Sequence, residues 1–248
     1  MHGLINRSIQ LFIRDTYGEE RWRAIARSAG VGPEGFEPML EYDDSVTDTL
    51  LAMVATHLDK PEAAVLEDVG TYLVSHETTR GVRRLLRFSG ETFADFLHSL
   101  DDLPSRARLA VPDLDLPELE LREDSGGRFR LFVLSTQRGW GCVMLGLLRS
   151  MADDYGALVM IDMAPGASSV AVIEIDLLDG AFAEGRSFSL AESALAPGTV
   201  ASRPPAAVGA PDGSRSAAPG PETARSVAGE PGPAQPGPPL GPGEGGSA

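Results

Sequence analysis

Up to about Ala110, apolar residues recur every three or four positions, the spacing of amphipathic helices. Leu4, Ile5, Ile9, Phe12 and Ile13 share one face, and a second helix is predicted over Glu19–Ser28. A third spans Thr47–Leu58, with Leu50, Leu51, Val54, Ala55 and Leu58 on its apolar side. Asp59 then reads as the cap of a fourth, which has Pro61 in its first turn and runs to about Val74. "TTRGVRRLLRF" reads as a short basic amphipathic helix, and "SGETFADFLHSLDDL" as the next, led in by Ser89 or Gly90.

That last pattern continues into "FLHSLDDLPSRARL", where Phe96, Leu97, Leu100 and Leu103 form a stripe and Pro104 takes its next position. Proline lacks the backbone N–H and clashes with the preceding turn, so the helix is expected to kink or end there.

After Pro112 the period changes to two. "PELELRE" and "RFRLFVLST" alternate and are joined by "DSGG", a hairpin signal. "WGCVMLGLLRSMADDYG" reads as a helix closed by Gly156, and "ALVMIDM" and "SVAVIEIDL" as two more strands. The expected fold is α+β: a helical N-terminal subdomain (residues 1–110), then a four-stranded antiparallel sheet with a packed helix (residues 111–190). The short link near Ala110–Asp115 makes residues 1–190 one fold unit. From Pro197 the chain has no aromatic residue and a single leucine, Leu240, among recurrent Pro and Gly. It cannot bury enough apolar surface to offset its ordering entropy, so residues 197–248 are expected to form a disordered tail.

Composition narrows the function. A net charge of -15 argues against non-specific nucleic-acid binding and against docking on an anionic membrane. Cys142 is the single cysteine, which excludes an internal disulfide and a Cys-rich zinc site. No apolar run approaches the length of a membrane span, and no signal peptide is evident, so a soluble cytoplasmic protein is expected. No GxSxG, P-loop or HExxH pattern is present, and nothing points to enzymatic chemistry. The arginines of "RGVRRLLR" read as a solvated face; recognition of a phosphate or an acidic partner is the alternative.

"MHGLINRSI", "DTYGEERW" and "RFSGETFADFLHSLDDL" resemble the H-NOX family, the heme-nitric oxide/oxygen binding domains also called HNOB. This is the sensor fold of bacterial gas-sensing proteins and of soluble guanylate cyclase. The resemblance covers about Met1–Leu190. It implies seven helices and four strands holding heme b between two subdomains, with NO or O2 on the iron. It also implies a fused or separate cyclase, kinase or chemotaxis partner whose activity the domain changes.

In the family the proximal histidine follows a Leu-Asp-x-Leu stretch. Here Leu100–Leu103 is followed by Pro104, which cannot ligate iron. A Tyr-x-Ser-x-Arg motif holds the heme propionates; its nearest match is Leu134–Arg138, with Leu134 for Tyr, Thr136 for Ser and Arg138 retained. Arg138 can meet a carboxylate through paired hydrogen bonds; without the family it reads as a surface residue. Ile5 corresponds to a residue that packs on the macrocycle, Val143 to a distal tyrosine that stabilises O2, and Leu73 to another distal polar position. Ordinary core packing also accounts for these three. With heme bound, such an apolar distal side implies NO over O2.

Other candidate iron ligands are His2, His57, His76, His98 and Cys142. His98 lies off the apolar stripe, His57 and His76 fall at helix ends, and Cys142 reads as core; none replaces the missing histidine well. The expected function is a stand-alone, non-catalytic H-NOX-family regulator with altered or lost heme ligation. By resemblance it acts on a histidine kinase or a diguanylate cyclase. The alternative is a heme-free scaffold, or a sensor of another apolar ligand.

Overall fold

The computed structural model describes residues 1–88, 90–165 and 170–188; the expected tail lies outside them. Helices α1 (Gly3–Tyr17), α2 (Glu19–Ser28), α3 (Asp44–Leu58) and α4 (Glu62–Ser75) come first. A 3-10 turn (Glu77–Thr79) leads to α5 (Arg80–Arg87), α6 (Phe93–His98) and α7 (Leu103–Ala110). The hairpin β1 (Glu118–Asp124) and β2 (Arg128–Leu134) precedes α8 (Trp140–Tyr155), β3 (Leu158–Met163) and β4 (Val170–Asp179). The sheet has the order β1-β2-β4-β3, every neighbouring pair antiparallel, as expected.

The helical boundaries differ from the sequence reading in two places. Asp59 does not open α4. It closes α3 in the left-handed conformation (φ 53°), with the Lys60 N–H on the Ala55 carbonyl at 3.1 Å. Pro61 occupies the N-cap of α4 instead, and its carbonyl accepts the Ala64 and Val65 N–H groups. The second difference concerns Pro104. The long helix expected over residues 89–103 is two helices. Thr92 caps α6 in a reciprocal box with Asp95, two residues after Gly90, and Ser89 lies outside the described residues. The chain then turns through Ser99–Asp102, and α7 begins at Leu103 with Pro104 in its first turn. A first-turn N–H has no intrahelical partner, so its loss there breaks no bond.

Two apolar clusters form the core. One gathers Phe12, Ile13, Trp22, Ile25, Leu50 and Val54 from α1 to α3 with Val65, Val69 and Tyr72 of α4. The other packs α5 to α7 and α8 on the inner face of the sheet, around Phe93, Phe96, Leu100, Leu131, Leu148 and Ile173. The joint between them is α4 against α8. Gly70 and Gly146 lie at that crossing: a methyl group on Gly70 would collide with the Val143 carbonyl, and one on Gly146 with the Glu67 carbonyl. Both obstacles are backbone, so neither can swing aside. On the same joint the Arg149 guanidinium pairs with Glu67.

A Gly146→Ala change is therefore expected to cost about 2–3 kcal/mol through overpacking, read as a lowered midpoint in chemical denaturation. Pro104→Ala is expected to cost about 1 kcal/mol or less, because the proline suits its position. A neutral Gly146→Ala would contradict the close crossing, and a Pro104→Ala loss as large as a core truncation would contradict the first-turn placement.

Candidate functional site

A cavity of about 430 Å³ lies where the two clusters meet, and every helix except α2 and α6 contributes to its wall. Leu4, Ile5, Ser8 and Ile9 of α1 and Thr47 and Leu51 of α3 form one side. Leu66, Val69 and Leu73 of α4 face Val143, Met144 and Leu147 of α8. Val82, Leu85 and Leu86 of α5 adjoin Leu103, Pro104 and Ala107 of α7. The β2–α8 connection closes the rim with Thr136, Gln137 and Arg138.

The wall has few polar groups, and the donors on its α1, α3 and α8 sides are engaged within the protein. The Ser8 hydroxyl donates to the Leu4 carbonyl at 2.9 Å, and the buried Thr47 hydroxyl to Asn6 Oδ1 at 2.8 Å. Trp140 Nε1 donates to Gln137 Oε1 at 3.3 Å. Charge sits at the edges. Asp44 and Asp48 are exposed on one part of the lining and Arg138 on another. Arg138 makes no ion pair among the described residues. Such a chamber suits an apolar body, with any polar end at the rim.

The structure brings Ile5, Pro104, Thr136, Arg138, Val143 and Leu73 around this one space, although they are far apart in sequence. Leu134 does not line it. It ends β2 with its side chain on the face opposite Phe129, Leu131 and Val133, which point into the core. Apart from Leu73, the wall residues of α4 and α5 carry no distinguishing signal in the sequence, because their helical spacing matches that of any core residue.

The matched family model, Haem-NO-binding, covers residues 2–163. The chain belongs to the haem-NO-binding (H-NOX) family. Among curated relatives, soluble guanylate cyclase gcy-31 of Caenorhabditis elegans is 25% identical over 154 residues, 62% of this chain and 22% of the cyclase. Soluble guanylate cyclase 89Db of Drosophila melanogaster is 24% identical over 161 residues, 64% of this chain and 24% of the cyclase. The chain thus spans about a quarter of the length of these cyclases. An S. oneidensis H-NOX protein in the Fe(II)NO state superposes with a TM-score of 0.62 at 16% identity, covering 72% of this chain and 100% of that one. A mutant T. tengcongensis H-NOX superposes with a TM-score of 0.62 at 16% identity, covering 73% and 100%. At that identity the likeness is one of fold. H-NOX domains are sensor domains and not catalytic ones.

Heme in this family raises the question of an iron ligand. The H-NOX cavity here is lined by no imidazole, thiolate or phenol among the described residues; its sulfur atoms are the thioethers of Met1 and Met144. The four histidines are engaged elsewhere. His2 is buried and caps α1, its Nδ1 accepting the Leu4 N–H at 3.2 Å. His57 Nε2 lies 3.0 Å from Ser28 Oγ. His76 stacks on Tyr72 with its Nδ1 3.5 Å from Asp15. His98 stands on the exposed side of α6, 3.4 Å from Glu123. Cys142 is half-buried on α8 and off the lining. Thioether alone is a weak basis for holding iron, since in the cytochromes it accompanies a histidine. The residues around the cavity do not fit an iron held by an imidazole, thiolate or phenolate.

Burial, aided by the charge of Glu67, pushes the Cys142 thiol above its ordinary pKa. It is then the neutral thiol at pH 7, neither a ready nucleophile nor a ready ligand. Alkylation by iodoacetamide at pH 8 is expected to run several-fold slower than for an unstructured peptide thiol; an equal rate would contradict this.

Proposed function

We propose that this H-NOX-family chain is a regulatory sensor that responds to an apolar small molecule in its cavity, without a side-chain bond to iron. The observation that carries the reading is a largely apolar chamber with Pro104 in its wall and no imidazole in its lining among the described residues. Family membership supports sensing as the task. The chemistry of the lining supports an occupant that needs no hydrogen bond inside the chamber and tolerates a polar end beside Arg138. The signal passes to a separate signalling protein in the cytoplasm, of the histidine kinase or diguanylate cyclase kind. Support for those partners comes from the family resemblance and not from any contact surface.

Hemin titration of the purified chain tests the first part. The wild type is expected to give a broad Soret band with no end point at one equivalent, because no imidazole is available. Pro104→His is expected to sharpen the band, saturate at one equivalent and respond to NO. A wild type that saturates with a narrow, NO-sensitive Soret band would overturn the reading. A Pro104→His variant identical to the wild type would contradict the placement of residue 104 in the chamber wall.

A further inference from the structure

We propose that Arg83, Arg87 and Asp154 form a clasp through which α5 couples the contents of the cavity to the segment that leaves β4. The inference rests on the cavity reading above and adds an output to it.

The eight residues of α5 carry two adjacent stripes. Val82, Leu85 and Leu86 form part of the cavity wall. Arg83 and Arg87, one helical turn apart, do not stand in solvent as the basic pattern suggests; their side chains are only 22% and 13% exposed. Both turn toward Asp154, a fully buried carboxylate in the last turn of α8. Arg83 Nε donates to Asp154 Oδ1 at 2.8 Å.

The segment after β4 is held by the same three residues and by the neighbouring Gly156 carbonyl. The Arg83 guanidinium also donates to the Ser187 carbonyl at 3.2 Å. The Arg87 guanidinium lies 3.9 Å from the centre of the Tyr155 ring and 5.2 Å from that of Phe188. The Arg186 N–H donates to the Asp154 carbonyl, and the Ala183 N–H to the Gly156 carbonyl, each at 2.9 Å. A short helix contributes little stability of its own, so α5 follows what it packs against. That includes α7, the helix of Pro104, through Arg106 Nη1 on the Leu85 carbonyl at 3.3 Å.

Half of the clasp is incompletely closed. Arg87 Nη1 donates to the Asp154 main-chain carbonyl at 3.4 Å but stands 3.7 Å from Asp154 Oδ2, beyond hydrogen-bond reach. Arg87 Nε and Asp154 Oδ2 are buried without a hydrogen-bond partner among the described residues. Moving α5 by roughly 1 Å or less would bring Arg87 Nη1 to the ~2.8 Å of a charge-assisted hydrogen bond with Asp154 Oδ2. Buried polar groups left unsatisfied are costly, so the clasp has a loose arrangement and a closed one within reach of a small shift in the cavity wall.

Amide hydrogen exchange on the full chain tests this, read at Ala183 and Arg186, with β2 amides as the control for global unfolding. Asp154→Asn and Arg83→Met are expected to speed exchange at the two segment amides by roughly tenfold or more with β2 unchanged. The cavity probe is the apolar dye anilinonaphthalene sulfonate. Its binding is expected to change segment exchange in the wild type and not in Arg83→Met. Dye that binds, by its fluorescence, while segment exchange stays constant overturns the clasp and leaves the cavity reading standing. Failure of the dye to bind counts against the cavity reading. Val82→Phe then decides the clasp without a ligand: a severalfold change in segment exchange with β2 unchanged supports it, and no change overturns it.

Discussion

The backbone contact between α4 and α8 is the constraint on which the remainder depends. Two apolar clusters, one helical and one built on the sheet, meet along this crossing. Gly70 and Gly146 set its distance, because a side chain at either would strike a carbonyl of the opposite helix. Leu66, Val69 and Leu73 on one helix and Val143, Met144 and Leu147 on the other are thereby brought face to face across the cavity. The chamber lies beside this joint: the two helices approach at backbone level at Gly70 and Gly146, and α1, α3, α5 and α7 supply other parts of the wall.

Against that frame Pro104 loses its oddity as a structural element and keeps it as a chemical one. In the first turn of α7 it costs no helical hydrogen bond, and the turn through Ser99–Asp102 leaves α6 properly ended before it. Its ring nonetheless stands in the wall of the cavity, where an H-NOX relative is expected to present histidine. The site has kept an apolar enclosure and an arginine at the rim while its lining holds none of the groups that anchor iron most strongly. On the proposed reading, an occupant of such a chamber would act through volume and shape, pressing on packed helices rather than pulling on a metal bond.

Much of the fold was legible in local patterns. "DSGG" marked the β1–β2 hairpin, whose turn places Gly126 and Gly127 at positive φ, and Gly156 marked the left-handed end of α8. The errors arose where one local signal serves two structures. An Asp shortly before a Pro reads as the start of a helix, whereas Asp59 adopts the left-handed conformation that ends one. Leu100 and Leu103 kept helical spacing through a turn, because both still face the core. The site was legible as single positions through the family resemblance, and Leu134 shows how a one-residue change of strand phase moves a side chain to the other face. The partner of Arg83 lies 71 residues away. No local periodicity could reveal that a basic stripe is spent on an internal carboxylate, nor that two distant glycines meet.

The central claim is that the cavity holds an apolar molecule and not a ligated heme. Native mass spectrometry of the chain, purified from cells supplied with heme precursor, tests it most directly. The account predicts a mass equal to the polypeptide alone or to the polypeptide plus an iron-free apolar compound released on gentle activation. A dominant species carrying one iron porphyrin per chain, surviving the same activation, would contradict it.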